Sequence, residues 1–347
     1  MSEFIVLKTS QKEKWNCIVK KFKFYEVFYL REYVEAFEEL SMDVGLLLYY
    51  DDGNTMAVTT VFKRDISESK DFLGTIKKGE FFDLITPYGY GGMLIQGDHV
   101  DKVWKAYDRF CNKERIISEF VRFNLFSQNN KYYNGEVETR THNIVRNLQI
   151  SLEEMMMDFE HKVRKNLKKA QRNQLIPVVD EDGEAFEDFL KIYYATMERN
   201  NAEKMYYFPR TFFEKFRKMS ENAVWFHIKK DDKIVATELV IYDENNCYSY
   251  LGGTLAEYFE YRPNELLKFE IIKWAKEKGL KNFVLGGGYG QDDGIFKYKQ
   301  SFAPNGVVSF YVGKRVFIPD IYKRLIDIRS KNGKFDENTN FFPKYRG

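Results

Sequence analysis

The sequence predicts an α+β protein made of two related units, and three observations lead there. The chain repeats itself at a spacing of 179 residues, each copy reads as a helix followed by a short antiparallel meander, and each meander is followed by an amphipathic helix and another strand. Length agrees, because 347 residues with 44% hydrophobic and 17% aromatic content supply core material for two domains of ordinary size.

The repeat is read directly. VFYLREYVEAF (27–37) falls on YYFPRTFFEKF (206–216), matching Arg31 with Arg210, Glu35 with Glu214 and Phe37 with Phe216. The match runs on without a gap through Ser41 and Ser220, Ala57 and Ala236, and Val61 and Val240, while LLLYYDDGN (46–54) overlies WFHIKKDDK (225–233) as strand, polar turn, strand. With gaps, Tyr88-Gly89-Tyr90-Gly91-Gly92 parallels Tyr248-Ser249-Tyr250-Leu251-Gly252-Gly253.

The elements follow in order. Helices are expected over 32–40 and 211–219, and in the second unit strands over 224–228, 234–242 and 247–251, separated by charged or Asn-rich turns. A helix over 263–278 places Leu266, Leu267, Ile271, Trp274 and Ala275 on one stripe, with Gly279 as C-cap. Strand 282–285 then opens into Gly286-Gly287-Gly288, where backbone can approach a ligand closely, and Asp292, Asp293, Lys297 and Lys299 follow. A glycine hairpin with solvated charges is the alternative.

Ahead of the second unit, Ser151-Leu152-Glu153-Glu154 is a capping box, and helical spacing continues to about 174. Its second half carries Lys162, Arg164, Lys165, Lys168, Lys169 and Arg172 with no acid. That density suits a polyanion such as tRNA, a diphosphate or an anionic lipid head group; a well-capped solvated helix is the other reading.

Other classes are disfavoured. Net charge is +2 from 54 basic and 52 acidic residues, so no global field selects a nucleic acid or membrane, and no DNA partner is expected. Cys17, Cys111 and Cys247 are too scattered for a disulfide framework, and they and His99, His142, His161 and His227 show no metal-ligand spacing. No apolar run or basic–apolar leader indicates a spanning helix or signal peptide, so a cytosolic location is expected.

Thr86-Pro87-Tyr88-Gly89-Tyr90-Gly91-Gly92, Arg164-Lys165-Asn166-Leu167-Lys168-Lys169-Ala170, the run 248–254, Pro263-Asn264-Glu265-Leu266-Leu267, Leu285-Gly286-Gly287-Gly288 and the Tyr-Lys-x-x-Phe of Tyr298, Lys299 and Phe302 stand in this order along the chain. In that order they resemble the FemABX family of peptidoglycan-bridge aminoacyltransferases and related FemAB-like acyltransferases, built from tandem GNAT-type domains. The resemblance covers nearly the whole chain and lacks the long coiled-coil arm of some members. It implies two GNAT-like domains (the acyl-CoA N-acyltransferase fold), 1–148 with a returning tail 315–347, and 149–314 with the main site.

It also implies an N-acyltransferase that moves an aminoacyl or acyl group onto an amine of a nucleotide- or lipid-linked cell-wall or capsule precursor. No bound cofactor is expected, and the donor is aminoacyl-tRNA or acyl-CoA. The position where acyl-CoA users carry a glycine-rich pyrophosphate loop reads Glu260-Tyr261-Arg262-Pro263-Asn264-Glu265, which favours tRNA. An acetyl-CoA-dependent enzyme acting on an amino sugar and a non-catalytic binder of anionic glycolipid or RNA are the alternatives.

With no Ser-His-Asp or Cys-His pattern visible, direct attack without a covalent enzyme intermediate is expected. Lys299 matches a lysine that relatives place at the reaction cleft, where its ammonium holds a phosphate or developing oxyanion; Lys297 is a weaker candidate. Tyr248 and Tyr250 alternate on one strand and share a face, as hydrogen-bond donors or core residues. Arg164 and Lys165 are candidates for diphosphate or tRNA contact, Tyr88 and Tyr90 for the acceptor side, and Gly287 and Gly288 for backbone contact. Asp293 and Glu238 are candidate proton acceptors, and the face that Glu238 occupies is not fixed by strand pattern alone.

Overall fold

The computed structural model describes residues 2–41, 43–288, 293–331, 335–336 and 338–347. They form two compact units, Met1–Arg140 with Phe310–Gly347, and Thr141–Ser309. Asp292, named above, lies outside the described residues.

The first unit contains β1 (Ile5–Lys8), α1 (Lys12–Val19), α2 (Arg31–Ser41), β2 (Val44–Asp51), β3 (Met56–Asp65), β4 (Phe82–Ile85), β5 (Leu94–Gln96), α3 (Val100–Lys113) and β6 (Ile116–Arg122). Through β7 (Glu136–Asn147) the chain enters the second unit: α4 (Leu152–Asp158), α5 (His161–Arg172), β8 (Ile176–Asp180), α6 (Phe186–Arg199), α7 (Arg210–Arg217), β9 (Ala223–Lys230), β10 (Lys233–Tyr242), β11 (Asn246–Thr254), α8 (Pro263–Glu277), β12 (Asn282–Gly286) and α9 (Gly294–Gln300). It leaves by β13 (Val307–Val316), and α10 (Pro319–Lys331) follows in the first unit. No described helix is long and apolar enough to cross a membrane, and the longest, α8, has 15 residues.

Each unit builds the same motif. In the first, β2, β3 and β4 are antiparallel neighbours and β4 runs parallel to β6 after the crossover through α3. In the second, β9, β10 and β11 are antiparallel and β11 runs parallel to β12 after the crossover through α8. The matched Arg31–Glu35 and Arg210–Glu214 pairs are ion pairs one turn apart, at 2.5 and 2.8 Å, at the start of α2 and α7. Ala57 and Ala236, like Val61 and Val240, sit in the core of their units.

The ungapped frame is wrong in one strand. Leu46, Leu48 and Tyr50 of β2 face α3, whereas Val224, Phe226 and Ile228 of β9 face α8, so the first strands match at a spacing of 178, not 179. A bulge between Ile234 and Ala236, together with unequal turns, restores the frame in β10.

The single helix expected from 151 to about 174 is two. The capping box is present, with Ser151 Oγ accepting from Glu154 N–H at 3.1 Å, but α4 stops at Asp158. Phe159 is buried against Phe302 with ring centroids 5.7 Å apart, and Glu160 N–H donates to the Ser301 carbonyl at 2.9 Å rather than continuing the helix. Tertiary packing here overrides local helical propensity.

Candidate active site

Several of the candidate polar side chains collect where two strands of the second unit part. Parallel pairing of β11 with β12 extends only from Asn246/Asn282 to Tyr248/Val284, and β10 and β11 bulge beside it, between Leu239 and Val240. Ser249 is the first β11 residue past the pairing, and Gly287 follows the end of β12.

Two lysines reach these two strand ends from helices. Lys268 of α8 donates to both oxygens of Glu238 and to Ser249 Oγ, each at 2.6 Å, so its three donors are spent on three acceptors inside the core. Lys299 of α9 donates to the Gly287 carbonyl at 2.6 Å. Among the described residues that is its one hydrogen bond, leaving two ammonium donors open. Burial, and next the positive charge of Lys268, pull the Lys299 ammonium down to about 8, against the opposing pull of Glu238 and Asp293. Its neighbour Tyr298 has a buried hydroxyl with no hydrogen-bond partner among the described residues, and burial raises that phenol well above its usual value.

The other candidates divide. Glu238 lies directly across from Phe226, whose ring packs on Trp274 of α8, so it faces α8 and is held by Lys268. Asp293 is the N-cap of α9, accepting from Phe296 N–H at 2.6 Å, which gives it a structural duty at the base of the helix that carries Lys299. Asp293→Ala is expected to lower stability by about 1 kcal/mol in a urea titration, whereas Asp293→Asn keeps the cap and should keep turnover. Loss of turnover in a stable Asp293→Asn protein would make this carboxylate a proton acceptor instead.

Tyr248 is buried, and Tyr250 packs on Phe216 of α7 at 5.4 Å. Cys247 and Ser249 between and beside them face α8, so the tyrosines share the opposite face, away from Lys268 and Glu238. Gly287 and Gly288 have local steric reasons: a Cβ would come within 2.8 Å of the His142 carbonyl at the first, and 2.3 Å of Asp293 Oδ2 at the second. Lys297 is exposed on α9, two residues before Lys299 and so on a different face of the helix.

Arg164 turns back onto the end of α4, donating to the carbonyls of Phe159 and of Met157, the latter at 3.0 Å. It satisfies carbonyls that the helix end leaves open, so its Nη1 is committed to capping. Lys165 remains exposed, together with Lys162, Lys168, Lys169 and Arg172 of α5, and none of these five has an ion-pair partner among the described residues. In the first unit, Tyr90 is wedged between Phe28 and Phe310 at 5.2 and 5.5 Å, while Tyr88 is exposed and stacks on Phe37 at 5.9 Å.

Lys268 and Ser249 escaped the sequence reading. The signal was a lysine interrupting the apolar stripe of α8 and a glutamate interrupting the apolar run of β10, two opposite charges in segments that both read as core. Asp180, His227 and Thr237 also escaped: the imidazole lies 3.2 Å from Asp180 Oδ2 and 2.8 Å from Thr237 Oγ1. All three are buried, and Asp180 also accepts from the N–H groups of Glu184 and Ala185, so this order of groups ties β8 to β9 and β10. The position of Glu238 corresponds in the first unit to Thr59, which with Trp104 and Tyr107 lines a cavity of about 10 Å³, room for one water.

The start of α8 is acidic. Glu265 is buried there and accepts from Asn166 Nδ2 of α5 at 2.7 Å. A carboxylate in the first turn occupies the positive end of the helix dipole that a pyrophosphate would use. The described residues contain no group of three or more His, Cys, Asp or Glu side chains able to hold a metal ion.

Comparisons with known proteins agree with this architecture. Residues 157–300 match the family model described as acetyltransferase (GNAT) domain, a span that includes both lysines. No curated protein matches the sequence. The crystal structure of FemX superposes with a TM-score of 0.68 at 12% identity, covering 93% of this chain and 99% of that one. A conserved protein of unknown function from Bacteroides thetaiotaomicron gives 0.60 at 10% identity, covering 90% and 99%. L-PGS from Bacillus licheniformis gives 0.56 at 12% identity, covering 87% and 91%. The expected fold class, α+β with GNAT-like units, is the one found, and the resemblance to FemABX proteins holds at the level of fold.

Proposed function

We propose that this chain is an N-acyltransferase that moves an aminoacyl or acyl group onto an amine of a nucleotide- or lipid-linked cell-envelope precursor. The observation that carries this reading is the half-buried Lys299 ammonium, with one hydrogen bond among the described residues, where β11 and β12 part. A neutral amine attacks the donor carbonyl, negative charge gathers on its oxygen, and a positioned ammonium in a desolvated setting stabilises that charge. Lys268, fully bonded to Glu238 and Ser249, keeps the framework in place, and its charge adds to burial, the larger cause, in lowering the proton affinity of Lys299.

The donor in this proposal is aminoacyl-tRNA. Glu265 at the start of α8 opposes a pyrophosphate, and the five exposed cations of α5 offer a track for a phosphate backbone. Binding of charged tRNA, measured from 50 to 300 mM salt, should weaken steeply. Changing Lys165, Lys168 and Lys169 to glutamate should flatten the salt slope by about two to three, roughly one per lost phosphate contact. An unchanged slope argues against this role for α5.

The match to an acetyltransferase domain favours a second reading, acetyl-CoA as donor to an amino sugar. A polyanion-binding module without catalysis is separated from both by turnover.

A further inference from the structure

The parallel pair of the first unit parts as β11 and β12 do in the second. Register between β4 and β6 runs to Ile85/Phe120, and the Thr86 N–H still donates to the Phe120 carbonyl. Residues 87–90 then loop out, and the chain rejoins the sheet at Gly91, which bridges Phe123. Arg122, the last residue of β6, stands at this opening. Its backbone N–H donates to Thr86 Oγ1 at 3.0 Å and its Nη1 to the Thr86 carbonyl at 3.2 Å, which turns the side chain toward the start of the loop.

This guanidinium has no acid. The other buried or half-buried arginines of the unit, Arg31, Arg64, Arg315, Arg329 and Arg346, each hold a carboxylate. No described Asp or Glu forms an ion pair with Arg122. The groups that act on its charge are the phenols of Tyr88 and Tyr33 and the cation of Arg64, which Asp83 already holds at 2.6 Å. Burial, the largest cause, pulls the guanidinium down to about 10. Its Cζ lies 5.2 Å from the centre of the Phe120 ring, a cation–π contact that supplies no hydrogen-bond acceptor. Nε and Nη2 make no hydrogen bond among the described residues, and neither is sealed from water, because Arg122 is only half-buried. A cation stripped of much of its water with no anion beside it is costly and calls for an explanation.

We infer that Arg122 binds the carboxylate of a ligand at the opening of the first unit. Nε and Nη2 lie along one edge of the guanidinium, the edge that makes two parallel bonds to a carboxylate, and one uncompensated positive charge matches one such group. Phe120 under the guanidinium and Tyr88, exposed and stacked on Phe37, offer ring surface to the carbon skeleton attached to it. The site is built from the first unit alone and takes nothing from Lys299, so the acyl-transfer reading and this one fail separately.

The test is a saturation-transfer NMR titration of the full chain with benzoate, with benzyl alcohol as the uncharged arm and phenyl phosphate as the phosphate arm. Benzoate should bind saturably and at least about 10-fold more tightly than benzyl alcohol, as for a charge-assisted pair. Arg122→Gln should raise its Kd by about 10-fold or more, and Arg122→Lys, which keeps the charge and loses the fork, should recover only part of that. The urea midpoint of Arg122→Gln should match wild type, because no carboxylate of the protein loses a partner. Wild-type protein that ignores benzoate overturns the inference, as does a Kd unmoved by Arg122→Gln. Tighter binding of phenyl phosphate overturns the assignment to a carboxylate. An Arg122→Gln protein that is much less stable, or does not fold, gives the guanidinium a structural role and overturns the site.

Discussion

Lys299→Met lowers turnover by roughly 10² or more while the protein stays folded, the order expected when one preorganised electrostatic stabiliser is removed. Its hydrogen bond to the Gly287 carbonyl contributes little to stability, and methionine fills similar volume in a half-buried setting. The pH profile adds a second reading. As pH rises through about 8 the ammonium is lost, so the wild-type rate should fall there, and that falling limb should be absent from the residual activity of Lys299→Met. Stability moves the other way. Because the folded value lies below the ordinary 10.5, the unfolded chain holds the extra proton between about 8 and 10.5, and stability rises with pH across that window. In Lys299→Met this rise disappears. Full activity in a well-folded variant would remove Lys299 from the chemistry.

Lys268→Met has the largest expected effect on folding, a loss of about 3–5 kcal/mol, because it leaves the Glu238 carboxylate buried without its partner. The double change Lys268→Met with Glu238→Gln should recover much of that loss, since the uncompensated charge is gone. Urea unfolding of the two single variants and the double gives the coupling directly. Additive losses would mean that the 2.6 Å contacts are not energetically linked and that Lys268 does not anchor the site.

The helix and strands that frame the candidate site were legible because each has a strong local signal. The apolar stripe and Pro263 mark α8, which spans Pro263–Glu277 where 263–278 was expected, and β12 covers Asn282–Gly286 where 282–285 was expected. What stayed hidden depends on partners distant in sequence. Nothing near Phe159 announces that its ring will meet Phe302 and end α4, and nothing near Arg164 announces that the broken helix will need its guanidinium. Glu238 and Lys268 are 30 residues apart on different elements, so their pairing emerges only when α8 lies on β10. The shift of frame in β9 has the same origin, since the bulge that absorbs it is a property of pairing with a neighbour rather than of the strand itself.

The proposal that Lys299 serves aminoacyl transfer is tested most directly by a single-turnover assay with purified components. Charged tRNA and acetyl-CoA are offered in parallel, each with an amine-bearing cell-envelope precursor, to wild-type protein and to Lys299→Met. The predicted result is transfer from charged tRNA that Lys299→Met slows by roughly 10² or more. Transfer from acetyl-CoA alone, or transfer from charged tRNA at an equal rate in both proteins, would contradict it.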